Sequence, residues 1–177
     1  DIRIEEAVTS AVHRAVARHG RIHGLVNNAG GQFPAPLMAI GKKGFETVMA
    51  SNLTGGFLMM RELYLQSMQA HGGAIVNMTA DMWNGMPGMG HSGAARAGMQ
   101  NFTETAACEW AVSGVRVNAV APGAIEWPQG TDDFPPAERA AIIEHSLLKR
   151  VGAPADIAGT VKFLIFDAPY VTGQVIN

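Results

Sequence analysis

A short apolar run that ends abruptly in small or polar residues recurs three times along this chain. Leu25-Val26 gives way to Asn27-Asn28-Ala29-Gly30. Ala74–Met78 gives way to Thr79-Ala80-Asp81, and Val115–Val120 to Ala121-Pro122-Gly123. Between the runs lie stretches with helical periodicity. Short buried strands alternating with helices predict a parallel, doubly wound α/β sheet. Ligands of such sheets bind beyond the carboxyl ends of the strands, and all three polar exits fall there. The exit at Asn27–Gly30 offers two amides and no bulk, so a flat ligand can lie close to its backbone. An ordinary strand-end turn would use the same residue types.

The helices are legible from their periods. Ile4, Ala7, Val8, Ala11, Val12, Ala15 and Val16 form the i, i+3, i+4, i+7 stripe of an amphipathic helix. Glu5 and Glu6 sit in its first turn and Arg18 and His19 in its last, as the helix dipole favours. Gly20 stops it. A long helix is expected from Phe45 to about Met68, interrupted by Asn52-Leu53-Thr54-Gly55-Gly56. A mid-helix glycine costs about 1 kcal/mol relative to alanine, so this pair demands close backbone packing or a kink. Further helices are expected over about 92–111, within 126–147, and from Pro154 to Ile165. A fourth strand begins at Gly173. Residues 31–41 and 82–90 are loops rich in Gly, Pro and Met. No repeat and no linker divides the chain, so residues 1–177 form one domain.

Composition excludes several classes of function. Apolar residues make up 47% of the 177 residues and charged ones 16%, which describes a packed domain rather than a disordered chain. The net charge of −2 comes without a basic cluster, so neither nucleic acid nor an anionic membrane is an expected partner. No apolar run approaches the roughly 18 residues of a membrane span, and no signal peptide is present. The single Cys108 allows no internal disulfide and is compatible with a reducing compartment. His13, His19, His23, His71 and His145 are scattered without metal-ligand spacing, so no metal is expected. The chain opens mid-pattern at Asp1 and closes on a strand-like run, which reads as a fragment or a processed chain.

Taken together, Leu25–Gly30, Asn52 with Thr54-Gly55, Ile75-Val76-Asn77, Val117–Gly123 and Thr172-Gly173-Gln174 resemble the short-chain dehydrogenase/reductases. The resemblance covers essentially the whole chain. His91–Gly98, followed by Glu109-Trp110-Ala111 and Ser113–Arg116, is similar to the branch of peroxisomal trans-2-enoyl-CoA reductases and their bacterial relatives. The resemblance implies a Rossmann-like, three-layer sheet of seven strands, of which this chain supplies the fourth to the seventh. The N-terminal strands and the Gly-rich pyrophosphate turn would be missing; Gly85, Gly88 and Gly90 do not replace that turn, because no strand leads into a helix there. The fourth strand would show a raw edge, with both faces bare beside it. The stretch by itself would be poorly stable and inactive. The implied cofactor is NADP, with NAD possible. The implied assembly is a homodimer or homotetramer, with the helices near 45–70 and 92–111 against a partner. The implied location is cytoplasmic, or peroxisomal in a eukaryote.

The resemblance also distributes roles. Asn52 would hold a helix kink and, through its backbone carbonyl, a proton-relay water. Thr79 stands at the family's Ser position, Ser92 at its Tyr and Arg96 at its Lys. A serine reaches less far than a phenol and is a weaker acid, and an arginine stays protonated and relays no proton. Arg96 can still hydrogen-bond a ribose. Asp81 and His91 are therefore the candidate proton donors. Asp1 would contact the adenine, while Asn27, Ala29 and Gly30 would wall the cofactor site. Pro122, Gly123 and the backbone around Ile125 would bind the nicotinamide carboxamide. Met82, Met86, Met89, Trp83 and Trp127 either pack or line an acyl pocket. Loss of the Tyr and Lys fits reduction of a trans-2-enoyl-CoA thioester. It leaves open an alcohol or aldehyde oxidoreductase for branched or isoprenoid compounds, and a non-catalytic member that binds a nucleotide or acyl-CoA.

Overall fold

The computed structural model describes residues 1–82, 85–126 and 135–177. Helix α1 (Glu5–His19) leads into strand β1 (Gly24–Asn27). Helices α2 (Lys42–Met49), α3 (Gly55–Leu63) and α4 (Gln69–His71) then carry the chain to β2 (Gly73–Met78). Helix α5 (Gly90–Trp110) connects β2 to β3 (Val115–Val120), and α6 (Pro136–His145) and α7 (Pro154–Lys162) precede β4 (Val175–Ile176). The four strands form one sheet in the order β1-β2-β3-β4, and every pairing is parallel. The α/β architecture and the parallel sheet expected from the sequence are present.

Strand alternation sends neighbouring side chains to opposite faces. Ile75 turns to a core built with Val8 and Val12 of α1, Leu58 and Met60 of α3, and Met99 of α5. Val76, its neighbour, packs with Val120, Leu164 and Ala168, against which Ile157 and Val161 of α7 also lie. The sheet thus has helices on both sides, but unequally. On β1, Leu25 packs into the α1–α3–α5 core, while Val26 on the other face is 44% exposed. The bare region beside β1 is therefore one face and one edge, not both faces. The expectation missed that α1 lies over the other face.

The interrupted helix takes a different form from the one expected. It begins at Lys42, and at Ala50–Thr54 it widens into a π-turn that contains Asn52. A single π-turn inside an α-helix commonly marks a functional position. Gly55 and Gly56 follow the π-turn and are explained by packing. A Cβ on Gly55 would lie 2.7 Å from Ile2, and one on Gly56 2.5 Å from the Met99 methyl. Helix α5 starts two residues before the expected Ser92, so His91 belongs to its first turn.

A half-buried Asn27 and the fully buried Asn77 and Thr103 tie the layers together. Asn27 Nδ2 donates to Asn77 Oδ1 at 2.9 Å and to the Gly56 carbonyl at 3.2 Å. Asn77 Nδ2 donates to Thr103 Oγ1 at 2.9 Å, and that hydroxyl donates to the Met99 carbonyl at 2.8 Å. The chain of bonds joins β1, β2, α3 and α5. Asn118 plays a similar part for β4, donating to the Val171 carbonyl and accepting from the Gln174 N–H.

An exposed ion pair fixes the start of α7. Both Arg150 Nη atoms donate to Asp156, at 2.6 and 3.0 Å, and the same carboxylate accepts the Ala153 N–H at 2.8 Å. The Arg150 guanidinium, then the Ala153 N–H, hold the Asp156 carboxyl at a pKa of about 2 against an ordinary 3.8. A depressed carboxyl contributes its stabilisation in full above the ordinary value and loses it as pH falls through the folded value. An NMR titration should place Asp156 near 2 in the folded protein and back toward 3.8 in Arg150→Gln. An unchanged midpoint in that variant would show that the pair does not hold the carboxyl.

Candidate functional site

The carboxyl ends of β1, β2 and β3 open into a groove of about 1780 Å³. Ligand pockets usually enclose about 300–1,000 Å³, so only part of this groove is a site. One part is lined by the strand exits, among them Asn28, Thr79, Pro122 and Ile125. The rest runs along the bare face of β1, past Val26 and Ile165.

The loop after β1 is held from two sides. The Asn52 side chain, at the π-turn, accepts the Gly31 N–H at 2.8 Å and donates to the Gly31 carbonyl at 2.9 Å. Arg96 reaches the same loop from the second turn of α5, and its Nη1 donates to the Met78 carbonyl at the end of β2. Gly30 sits between the two. A Cβ there would lie 2.4 Å from Asn52 Oδ1 and 3.3 Å from Arg96 Nη2. This clearance explains the glycine, since no side chain fits between the amide and the guanidinium. Burial pulls the Arg96 pKa below its usual value, though a guanidinium stays charged in proteins.

The catalytic candidates are dispersed. Thr79 lines the groove, but its hydroxyl donates its proton to the Val120 carbonyl at 3.1 Å. Ser92 is fully buried, and its hydroxyl donates to Gln32 Oε1. His91 is also fully buried. Its Nδ1 accepts the Ser92 N–H at 3.0 Å, and Phe33 meets its ring edge-to-face at a centroid distance of 4.5 Å. Neither Ser92 nor His91 lines the groove, because the loop carrying Gln32 and Phe33 lies over the start of α5. The structure therefore separates two of the proposed catalytic side chains from the open site. Asp81 does line it, with its N–H on the Pro122 carbonyl at 3.2 Å.

The cofactor candidates divide as well. Gly30, Arg96, Pro122, Gly123 and Ile125 meet at the strand ends. Ile125 bridges Gly152 in parallel, through bonds made by Ala124 and Glu126, so its own N–H and carbonyl stay outside the bridge. Ala29 is exposed in the same loop. Asn27 turns inward to Asn77 and Gly56, so its amide belongs to the core and not to the groove. Asp1 also lies off the groove, where its carboxylate holds Arg3 at 2.6 Å. Met82 is half-buried and Met86 lines the groove; Trp83 and Trp127 lie outside the described residues. Among the described residues no group of His, Cys, Asp and Glu could hold a metal ion.

Of the two amides at the first strand exit, the sequence assigns the site role to Asn27, and it assigns none to Gln32. Asn28 follows Val26 onto the open face, opposite to Asn27. Gln32 reaches the groove from the loop and is oriented by Ser92. A signal for it existed: Gln32 is the one hydrogen-bonding side chain in residues 31–41.

Comparison with known proteins defines the class. The family model described as Enoyl-(Acyl carrier protein) reductase matches residues 1–177. The chain belongs to the short-chain dehydrogenase/reductase family. It is 37% identical, over 99% of its own length, to the peroxisomal 2,4-dienoyl-CoA reductase [(3E)-enoyl-CoA-producing] of Pongo abelii, and covers 62% of that protein. Among solved structures it is similar to the citronellol catabolism dehydrogenase AtuB of Pseudomonas aeruginosa PAO1. The identity is 54% and the TM-score 0.86, over 99% of this chain and 68% of that one. ElxO with NADP bound is 28% identical with a TM-score of 0.92, over 99% of this chain and 73% of that one. The chain thus spans about three fifths of the length of the dienoyl-CoA reductase it matches.

Proposed function

We propose that the protein reduces enoyl thioesters, of the trans-2-enoyl-CoA type, with a reduced nicotinamide nucleotide. The observation that carries this reading is the fate of the family's acid. Its position is Ser92, a fully buried hydroxyl committed to Gln32. A carbonyl-to-alcohol reduction needs a proton delivered to oxygen as it forms. Reduction of an enoyl thioester needs a donor that holds the enolate oxygen, with protonation at carbon. The Gln32 amide suits that task. Its oxygen accepts from Ser92, which leaves its NH₂ as the donor at the groove. The similarity to a 2,4-dienoyl-CoA reductase supports the same class of substrate.

The strand ends fit a nicotinamide nucleotide. Gly30 leaves no room for a side chain beside Asn52, and a Cβ on Gly123 would meet nothing within 4 Å, so a flat ring can approach bare backbone. Backbone groups at Ile125 would hold the carboxamide, with Asn28 beside the ribose. When bound, the group supplies the hydride. The likeness to ElxO with NADP bound supports NADP, with NAD as the alternative. Assembly is proposed as a homodimer.

A second reading is favoured by the 54% identity to AtuB, a citronellol catabolism dehydrogenase: oxidoreduction of a branched or isoprenoid alcohol or aldehyde. Following NADPH absorbance in the full-length protein, first with crotonyl-CoA and then with citronellal, separates the two. Turnover of the thioester alone is expected. Gln32→Ala should lower kcat by roughly 100-fold, the usual loss for one oxyanion donor. Turnover of citronellal alone would replace the first reading by the second. No turnover with cofactor still bound would leave a non-catalytic binding protein.

A further inference from the structure

We propose that Arg96 is a fixed cation that holds the anionic oxygen of an enolised thioester in the groove. The role differs from the ribose contact implied by its position, and it rests on the thioester reading above. Among the described residues, Arg3, Arg61, Arg139 and Arg150 are paired with carboxylates, and Arg116 donates to the carbonyls of Leu164, Ile165 and Val171. Arg96 differs from all of them. It is drawn into the protein, donates Nη1 to the Met78 carbonyl, and makes no ion pair among the described residues. A desolvated charge without a counter-ion is costly, and an anion beside it relieves that cost.

The surroundings point to where the anion sits. The guanidinium lines the groove. Its Nη2 lies against Gly30, where the strand-end loop carries no side chain that would screen it. Two carboxylates line the same groove, Asp81 and Glu126. Glu126 pairs with Arg139. Thr79, the other donor at this edge, has given its proton to the Val120 carbonyl. Among the described residues Arg96 is thus the one cation beside Gly30 at this edge, with the neutral Gln32 and Asn28 amides near it. An arginine cannot hand over a proton, so its contribution is charge: it stabilises oxygen-centred anion without protonating it.

A β-ketothioester tests this without cofactor or turnover. Acetoacetyl-CoA loses an α-proton to the buffer, and the electron pair left by the C–H bond spreads over its two carbonyl oxygens. The resulting enolate absorbs in the near ultraviolet. The full-length protein should lower the pH at which the bound thioester enolises, by about one unit or more, a tenfold shift in the equilibrium. Arg96→Gln should abolish that shift while the thioester and NADPH still bind within about threefold of the unaltered protein, as their remaining contacts are untouched. Arg96→Lys should keep part of it, and guanidinium ion should restore it in Arg96→Ala. An enolate band undiminished in Arg96→Gln overturns the proposal. So does a loss of the band that only follows a matching loss of NADPH binding, which would assign Arg96 to the ribose. The enolate shift without turnover of crotonyl-CoA would sustain Arg96's role and refute the reductase reading. Turnover of crotonyl-CoA with no shift would do the reverse.

Discussion

Gly30→Ala should destabilise the protein and weaken nucleotide binding together, whereas Gly31→Ala, one residue on, should do neither. The added Cβ at Gly30 would lie 2.4 Å from Asn52 Oδ1, inside any tolerable contact. The Asn52 amide cannot step aside at low cost. It is buried and already makes two bonds to Gly31, at 2.8 and 2.9 Å. Either those bonds break or the loop moves away from the π-turn. Overpacking and the loss of two hydrogen bonds together cost about 2–4 kcal/mol. The loop that moves carries Asn28, so the affinity for NADPH should fall by roughly tenfold or more. At Gly31 a Cβ meets nothing within 4 Å and φ is not positive, so alanine there is accommodated. Urea unfolding of the two variants beside a fluorescence titration with NADPH makes the comparison. Equal effects at the two positions would show that the Asn52 clip does not govern the loop.

Asn77→Ala should have the other large effect, and it should act on stability before it acts on binding. Asn77 is fully buried and joins Asn27 of β1 to Thr103 of α5, each at 2.9 Å. Truncation leaves the Asn27 NH₂ with one of its two acceptors and removes the bond to the Thr103 hydroxyl. It also opens a void in a packed layer. Such a loss costs about 2–4 kcal/mol in a buried network. Asn77 and Thr103 are bonded to each other, so Asn77→Ala and Thr103→Val combined should fall short of the sum of their separate effects by about 0.5–3 kcal/mol. Strict additivity in the chemical-denaturation midpoints would mean that the three side chains do not act as a unit.

Much of this site was legible because strand exits and helix periods are local. The apolar runs at Leu25, Ile75 and Val117 are short, and each stops at small or polar residues. That pattern alone placed the exits on one edge of a parallel sheet. Gly30, Arg96, Pro122, Gly123 and Ile125 meet at that edge. Asn52 was recognised as an interruption, and the interruption is a π-turn.

What the sequence did not decide was sidedness and partnership. Alternation pairs Leu25 with Asn27 and Val26 with Asn28, but it does not say which pair faces the helices. Only the packing of α1, α3 and α5 shows that Asn27 is a core amide and Asn28 a groove amide. Ser92 and Gln32 are 60 residues apart, and their bond exists because the loop after β1 folds over the start of α5. The same fold buries His91 beneath Phe33. Likewise, the apolar stripe of α1 announced a helix but not the face it would cover, so β1 was expected to be bare on both sides and is bare on one. Sequence period fixes which residues share a face of their own element, because backbone geometry repeats. The surface that face meets is set by contacts between distant segments, which no local pattern encodes.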